Sequence, residues 1–332
     1  MTMGTLANGQ LIKQMPSPFT ELQIIEWLSF IGYPTAMASI KNFEANWENL
    51  VSLMRLHLVA IPFENTEMHY SPDRKVVIDP QGLFHRIIKQ KNGSYCFGKT
   101  GLFLHMLRGL GYRIYAAQGR SNINRDDPPS APAFTPTTHI VLFVQPMHGS
   151  NKTYMIDVGY GGSGPVRPIL LRDGEVVEGA TPTEKHRLTK SAMPGSCSDA
   201  WVWQLECFHE KAGQKDGQWK LFYVFDEIER YQVDIDCSSH YVSTFDSGTM
   251  HAGTVIALKH FWLDESENIE HRHIGALVLF GEKLKHNMGA RSVLIKEVNT
   301  EKERVEVLKE YFGLNVEVTW AENIKGRKAA LS

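Results

Sequence analysis

The spacing of apolar residues changes character at Gly111, and that change limits the folds open to this chain. Before it, Leu22, Ile25, Trp27, Leu28 and Ile31 recur at helical spacing, as do Trp47, Leu50, Leu53, Met54 and Leu58, the pattern that turns one face of a helix into a core. A further helix is expected from Pro80 to about Lys91. Another runs from near Cys96 through Leu102, Phe103, Met106 and Leu107 to the stop Gly109-Leu110-Gly111. After Gly111, short β-branched or aromatic runs take over: Tyr112 to Ala117, His139 to Val144, Tyr154 to Val158, Trp201 to Leu205 and Trp219 to Phe225, separated by Pro, Gly, Ser and Asn. The last third mixes strand-like Ala276 to Phe280 and Ser292 to Glu297 with a helix. Thr300 and Glu303 form that helix's capping box and Gly313 its stop. The fold expected is α+β and multidomain: a helical bundle over 1–111, a β-barrel over 112–227 and an α/β lid over 228–332.

Composition excludes several classes. With 332 residues, 42% of them hydrophobic and 22% charged, the chain can bury a sizeable core and is not disordered. A formal charge of -2 gives no overall field for nucleic acid or anionic lipid, so neither is an expected partner. Met1 to Met15 hold no apolar run of the kind that begins a secretory signal or a membrane span. The four cysteines, Cys96, Cys197, Cys207 and Cys237, form no C-x-x-C pair. Neither a zinc site nor a dense disulfide framework is expected, and the cytosol is the expected compartment.

Cys96 follows Asn92-Gly93-Ser94-Tyr95 at a loop-to-helix junction. Unpaired N–H groups and the helix dipole lower the pKa of a thiol in a first turn. Taken alone, such a cysteine is commonly just a small buried hydrophobe. His139 opens one strand and Asp157 closes the next, with Pro146 to Asn151 as the turn. A hairpin centred on His148 sets His139 opposite Asp157, on one face of the sheet. A carboxylate there can hold one imidazole nitrogen and leave the other for a nucleophile, the arrangement of cysteine-protease-like Cys-His-Asp catalysis. Asp126 to Thr138, rich in Pro, Ser and Thr, reads as a surface loop beside His139. Gly159, Gly161 and Gly164 satisfy G-x-G-x-x-G, but Pro165 and Pro168 follow at once and leave no helix to receive a pyrophosphate. A backbone anion nest or a plain flexible connection are the readings left for these glycines.

Several segments together resemble the arylamine N-acetyltransferase family. Ile61-Pro62-Phe63-Glu64-Asn65 is similar to the segment before its nucleophile, Gly93-Ser94-Tyr95-Cys96-Phe97 to its cysteine loop, and Thr138-His139-Ile140-Val141 and Asp157-Val158-Gly159-Tyr160-Gly161-Gly162 to its His and Asp segments. Tyr241-Val242-Ser243-Thr244 resembles a further one. The resemblance implies the same helical bundle, β-barrel and lid, and a ping-pong acyl transfer. Cys96 takes an acyl group from acetyl-coenzyme A, or from another acyl donor such as propionyl- or malonyl-coenzyme A, and passes it to an arylamine or arylhydrazine. His139 draws the thiol proton and Asp157 steadies the imidazolium. Phe63 and Tyr160 wall the acceptor pocket, while Gly161, Gly162, Tyr241 and Ser247 lie along coenzyme A. No metal is implied.

The chain departs from the family pattern around the nucleophile. Asn92-Gly93-Ser94 stands for the usual Arg-Gly-Gly, Gly98 for Glu or Gln, and Thr100 for Asn. Other residues must then brace the cysteine loop, or the site differs in rate or substrate. Arg167, or another cation near the glycine-rich loop, is a candidate partner for a malonyl carboxylate. A thiol hydrolase or transglutaminase-like enzyme, and a binding protein on the same fold, are the alternatives.

Overall fold

The computed structural model describes residues 4–34, 39–73, 75–125, 132–210, 217–245 and 250–331. Its N-terminal third holds helices α1 (Glu21–Phe30), α2 (Trp47–Ala60), α3 (Thr66–Tyr70), α4 (Pro80–Phe84) and α5 (Cys96–Gly109), and a short strand β1 (Phe63–Glu64). Thr20 opens α1 with a capping box to Gln23, and the Asn46 side chain caps α2. The helix expected from Pro80 to about Lys91 runs unbroken to Lys89, α4 widening into a π-turn over His85–Lys89.

Strands β2 (Arg113–Ser121), β3 (His139–Gln145), β4 (Tyr154–Ile156), β5 (Ile169–Leu170), β6 (Glu175–Glu178), β7 (Glu184–Ala192), β8 (Trp201–His209) and β9 (Trp219–Phe225) form one antiparallel sheet, ordered β5-β4-β3-β2-β9-β8-β7-β6. Its two outer strands are consecutive in the chain, joined through residues 171–174, so the sheet curls into a nearly closed barrel. A second antiparallel sheet runs β1-β10-β11-β12-β13, from β10 (Ile256–Trp262), β11 (Ile274–Phe280), β12 (Lys283–Met288) and β13 (Arg291–Glu297). Helices α6 (Gln232–Thr244), α7 (Met250–Gly253) and α8 (Glu301–Phe312) complete the C-terminal third. Helix α8 has the expected Thr300–Glu303 capping box, and Gly313 ends it in the left-handed region at φ 71°. The strands of that third are thus all antiparallel, and one edge of their sheet comes from β1, far upstream.

Strand β3 is buried along its whole length because each face meets a different core. Ile140, Leu142 and Val144 pack on the helices with Trp27, Leu53 and Phe103. Val141 and Phe143 turn into the barrel with Trp203, Leu205 and Tyr223. A third core lies between the second sheet and α8, around Leu279, Leu284, Leu308 and Phe312. The first core also takes in Leu258 and Ile274 of the C-terminal third, so helices, barrel and second sheet are packed through one another.

The β3–β4 hairpin is two residues out of the expected register. Leu142 faces Ile156 and Val144 faces Tyr154, which puts Asp157 diagonal to His139 rather than directly across from it. Because side chains alternate with a period of two, an even shift leaves both on one face. Among the described residues, no helix is long and apolar enough to cross a membrane.

Candidate active site

Cys96 is the first residue of α5 and only 4% exposed. No side chain caps that helix, so its first N–H groups are left for whatever lies in front of them. The backbone N–H groups of Phe97 and Cys96 pull the thiol's pKa down, as the helix-start argument expects, but they are outweighed. Burial pushes the thiol well up and the Asp157 carboxylate pushes it further. Burial in this pocket thus disfavours a lone thiolate at Cys96.

His139 follows Thr138, whose carbonyl oxygen is 4.0 Å from Cys96 Sγ. His139 Nε2 meets Asp157 Oδ2 at 2.7 Å, which leaves Nδ1 as the imidazole nitrogen not engaged by the carboxylate. Asp157 also accepts from the Tyr223 hydroxyl at Oδ2 and the Gly159 N–H at Oδ1, both at 2.8 Å. Burial alone would raise this carboxyl. His139, Gly159 and Tyr223 together reverse that and hold it below its ordinary value. Tyr223, which sequence reasoning missed, comes from β9 on the far side of β2, and its ring lies 4.8 Å from that of His139.

Gly159 explains how strand and helix approach so closely. A Cβ there would stand 2.8 Å from both the Cα and the carbonyl oxygen of Cys96 and 2.6 Å from Thr100 Oγ1. Only glycine lets the chain leaving Asp157 lie against the first turn of α5.

The cysteine loop is braced from upstream. Ser94 N–H donates to the Pro62 carbonyl at 3.3 Å and Glu64 N–H to the Ser94 carbonyl at 3.1 Å. Asn92 stands where the family pattern has arginine, and its Oδ1 accepts from the Asn315 N–H at 2.7 Å. The guanidinium comes instead from Arg86 in the π-turn. It reaches the Gly93 carbonyl at 3.0 Å, Glu64 at 2.6 Å and Glu67 at 3.2 Å. Gly98, another departure, gives Ser94 room, because a Cβ there would lie 2.0 Å from Ser94 Oγ. Replacing Arg86 by methionine keeps the stem but leaves the Glu64 carboxylate, only 1% exposed, without a counter-charge, held by the Thr66 N–H and hydroxyl alone, each at 2.6 Å. The expected loss is about 3–5 kcal/mol of stability, read by denaturant unfolding, and a change under 1 kcal/mol would show that the brace lies elsewhere.

The remaining candidates are placed as follows. The Tyr160 ring lies edge-on to His139 at 5.2 Å and stacks on Phe222 at 5.5 Å. Phe63 is buried in β1, with Gly161, at φ 86°, against its ring. Gly162 faces Leu258. Tyr241 is on α6, stacked on Phe245 at 4.7 Å; that helix reaches the site through Ser239, which bonds the Tyr95 hydroxyl, and Ser238, which bonds the Thr137 carbonyl at 3.0 Å. Ser247, like residues 126–131 of the loop before His139, lies outside the described residues. No helix follows Gly164; the next element is β5. Arg167 spends its guanidinium on the Glu178, Gly179 and Glu270 carbonyls and is poorly placed to receive a substrate carboxylate.

Lys99 is a buried cation with no signal in the sequence beyond its place one turn after Cys96. Its ammonium donates to the Ile61 carbonyl at 2.6 Å. Burial pushes it down to about 7, with Asp157 pulling the other way. With Phe63, Asp157, Tyr160, Gly161 and His260 it lines a cavity of about 10 Å³, room for one water. A larger open depression of about 470 Å³ around Ser17, Phe19 and Arg108 sits at the other end of the 14-residue α5, some 20 Å from Cys96 at about 1.5 Å per residue.

Residues 46–321 match the family model described as N-acetyltransferase. The chain belongs to that family. Among its relatives is N-malonyltransferase FDB2 of Fusarium pseudograminearum (strain CS3096), 26% identical over 92% of each chain. The arylamine N-acetyltransferase of Mycolicibacterium smegmatis is 29% identical over 68% of this chain and 75% of that one. Among solved structures, Mycobacterium marinum arylamine N-acetyltransferase in complex with CoA superposes with a TM-score of 0.69 and 25% identity, covering 93% of this chain and 100% of that one. This is an acyltransferase of the arylamine N-acetyltransferase family, and its relatives include both acetyl- and malonyltransferases.

Proposed function

We propose that this protein transfers an acyl group from an acyl-coenzyme A to the nitrogen of an aromatic amine or hydrazine, through a thioester on Cys96. The observation that carries the reading is the convergence of Cys96, at the uncapped start of α5, on the strand end where His139 is clamped by Asp157. His139 takes the Cys96 proton as the sulfur attacks the acyl carbonyl. The C–S bond to coenzyme A breaks and the departing thiolate takes that proton back. The acceptor nitrogen then attacks the Cys96 thioester, loses its proton to His139, and the thiol is restored as the C–N bond forms. Asp157, ionised and anchored by Tyr223 and Gly159, steadies the imidazolium in both half-reactions without itself taking a proton.

Phe63 and Tyr160 offer aromatic surface for a planar acceptor beside His139. Gly161, Gly162, Tyr241 and Ser247 are assigned to coenzyme A on the family resemblance alone. The donor is open between acetyl and longer or charged acyl groups, and the malonyltransferase relatives favour including malonyl. The hydrolase reading differs in one respect, since its thioester would discharge to water at the same rate with or without amine.

Intact-mass spectra after brief incubation with acetyl-, propionyl- and malonyl-coenzyme A test this directly. One acyl group per chain is expected from at least one donor, discharged rapidly by an aromatic amine. No adduct from any donor would overturn the proposal, and amine-independent discharge would replace it with hydrolysis.

A further inference from the structure

Outside the candidate active site, strands β7 and β8 bring together a second set of reactive side chains. Glu184 and His186 lie two apart on β7, Cys207 and His209 two apart on β8, and the antiparallel register sets Glu184 against His209 and His186 against Cys207. All four therefore share one face of the sheet. The Glu184, Cys207 and His209 ligand atoms lie within 4.8 Å of one another.

We propose that Glu184, Cys207 and His209 form a binding site for one zinc-like divalent cation, with solvent completing its coordination. The donor set is the argument for the class of ion. One thiolate, one imidazole and one carboxylate suit zinc and its neighbours and do not suit magnesium or calcium, which take oxygen cages. Charge favours it as well: a doubly charged cation between a carboxylate and a thiolate leaves a buried site neutral. The Cys207 proton leaves to solvent as the sulfur–metal bond forms, so binding weakens as pH falls.

The surroundings supply anchors and an entrance. Ala180 N–H holds Glu184 Oε1 at 3.1 Å. His186, fully buried, sits 3.8 Å from the same oxygen and is fixed by the Ser163 carbonyl at 2.9 Å. The Ala180 N–H orients the carboxylate as outer partners do in known metal sites. The His209 side chain is 37% exposed, which opens a path for the ion and freedom to swing; metal–ligand bonds of about 2.0–2.3 Å need the donors to close by about 1 Å. In the metal-free arrangement His209 Nε2 contacts Glu184 at 3.0 Å and Ser163 Oγ at 3.1 Å. A metal takes that nitrogen away from Ser163.

The test uses the full chain carrying Cys96→Ser, so that the active-site thiol contributes nothing. Cobalt(II) titration is expected to give one equivalent per chain with thiolate-to-cobalt absorption in the near ultraviolet, and zinc should displace it. Cys207→Ser should abolish that absorption. His209→Ala, at a half-exposed position that tolerates truncation, should weaken cobalt binding at least ~100-fold, more than the loss of an outer partner. Absence of the thiolate band in the folded protein, or a band that survives both substitutions, would overturn the proposal and leave the cluster as a hydrogen-bond tie on Ser163.

Discussion

Cys96→Ser is expected to lower acyl transfer by at least ~10⁴-fold while leaving the protein folded. The substitution keeps the volume of a side chain that is only 4% exposed, so packing against Thr138 and Gly159 survives. A serine hydroxyl in the same place has a far higher pKa than a thiol and the same burial against it, and His139 cannot hold its proton. Transfer rate, the acyl adduct by intact mass, and thermal unfolding should be followed together. Full activity would refute the thioester route; loss of activity with loss of fold would say nothing of mechanism, and Cys96→Ala then serves as the second variant.

For Asp157→Asn the expected loss in turnover is on the order of 10³–10⁴-fold, with little change in the affinity for coenzyme A. Asp157 Oδ2 receives both His139 and the Tyr223 hydroxyl. An amide in its place must turn its NH₂ toward both of these donors, or present them a single neutral oxygen and its NH₂ to the Gly159 N–H. Either way the imidazolium loses its counter-charge, and the Cys96 proton has no stable place to go. The direction of the pH effect follows from the carboxyl being held below its ordinary value. The stability it contributes is fully present above about pH 4 and is lost as pH falls through the lower folded-state value. Asp157→Asn should therefore flatten the acid limb of a stability–pH curve. Alkylation of Cys96 by a neutral reagent should slow as well, and an unchanged alkylation rate would mean that Asp157 does not act through His139.

The three residues of the candidate site were legible because each stands at a junction that sequence marks: a loop entering a helix, and the two ends of a hairpin. The hairpin's register was not legible, since turn length alone leaves it free by a residue or two. The shared face survived because the displacement was even. Tyr223 and Arg86 were invisible for a different reason. Tyr223 reaches Asp157 across β2, and Arg86 reaches Glu64 from a π-turn, so neither sits at a spacing that local periodicity records. Strands β7 and β12 were missed because Glu184–Ala192 and Lys283–Met288 carry mostly polar residues, and β1 and β5 because two residues make no pattern. The cysteine's environment was half legible: the lowering influence of the α5 start can be read from sequence, while the burial that opposes it belongs to the packed core.

Strand β1 carries one more implication. Phe63 and Glu64 pair with Leu258 and Ala257 of β10, while the Glu64 backbone and carboxylate hold the cysteine loop through Ser94 and Arg86. Two residues thus belong at once to the C-terminal sheet and to the nucleophile's support. Opening that sheet removes one of the two partners of β1 while Arg86 and the Pro62 carbonyl keep hold of the loop, so hydrogen exchange at Glu64 and Ser94 is expected to rise when β10 opens. Heat inactivation of acyl transfer is then expected to follow the unfolding of the C-terminal third, as activity and hydrogen exchange along one temperature series would show.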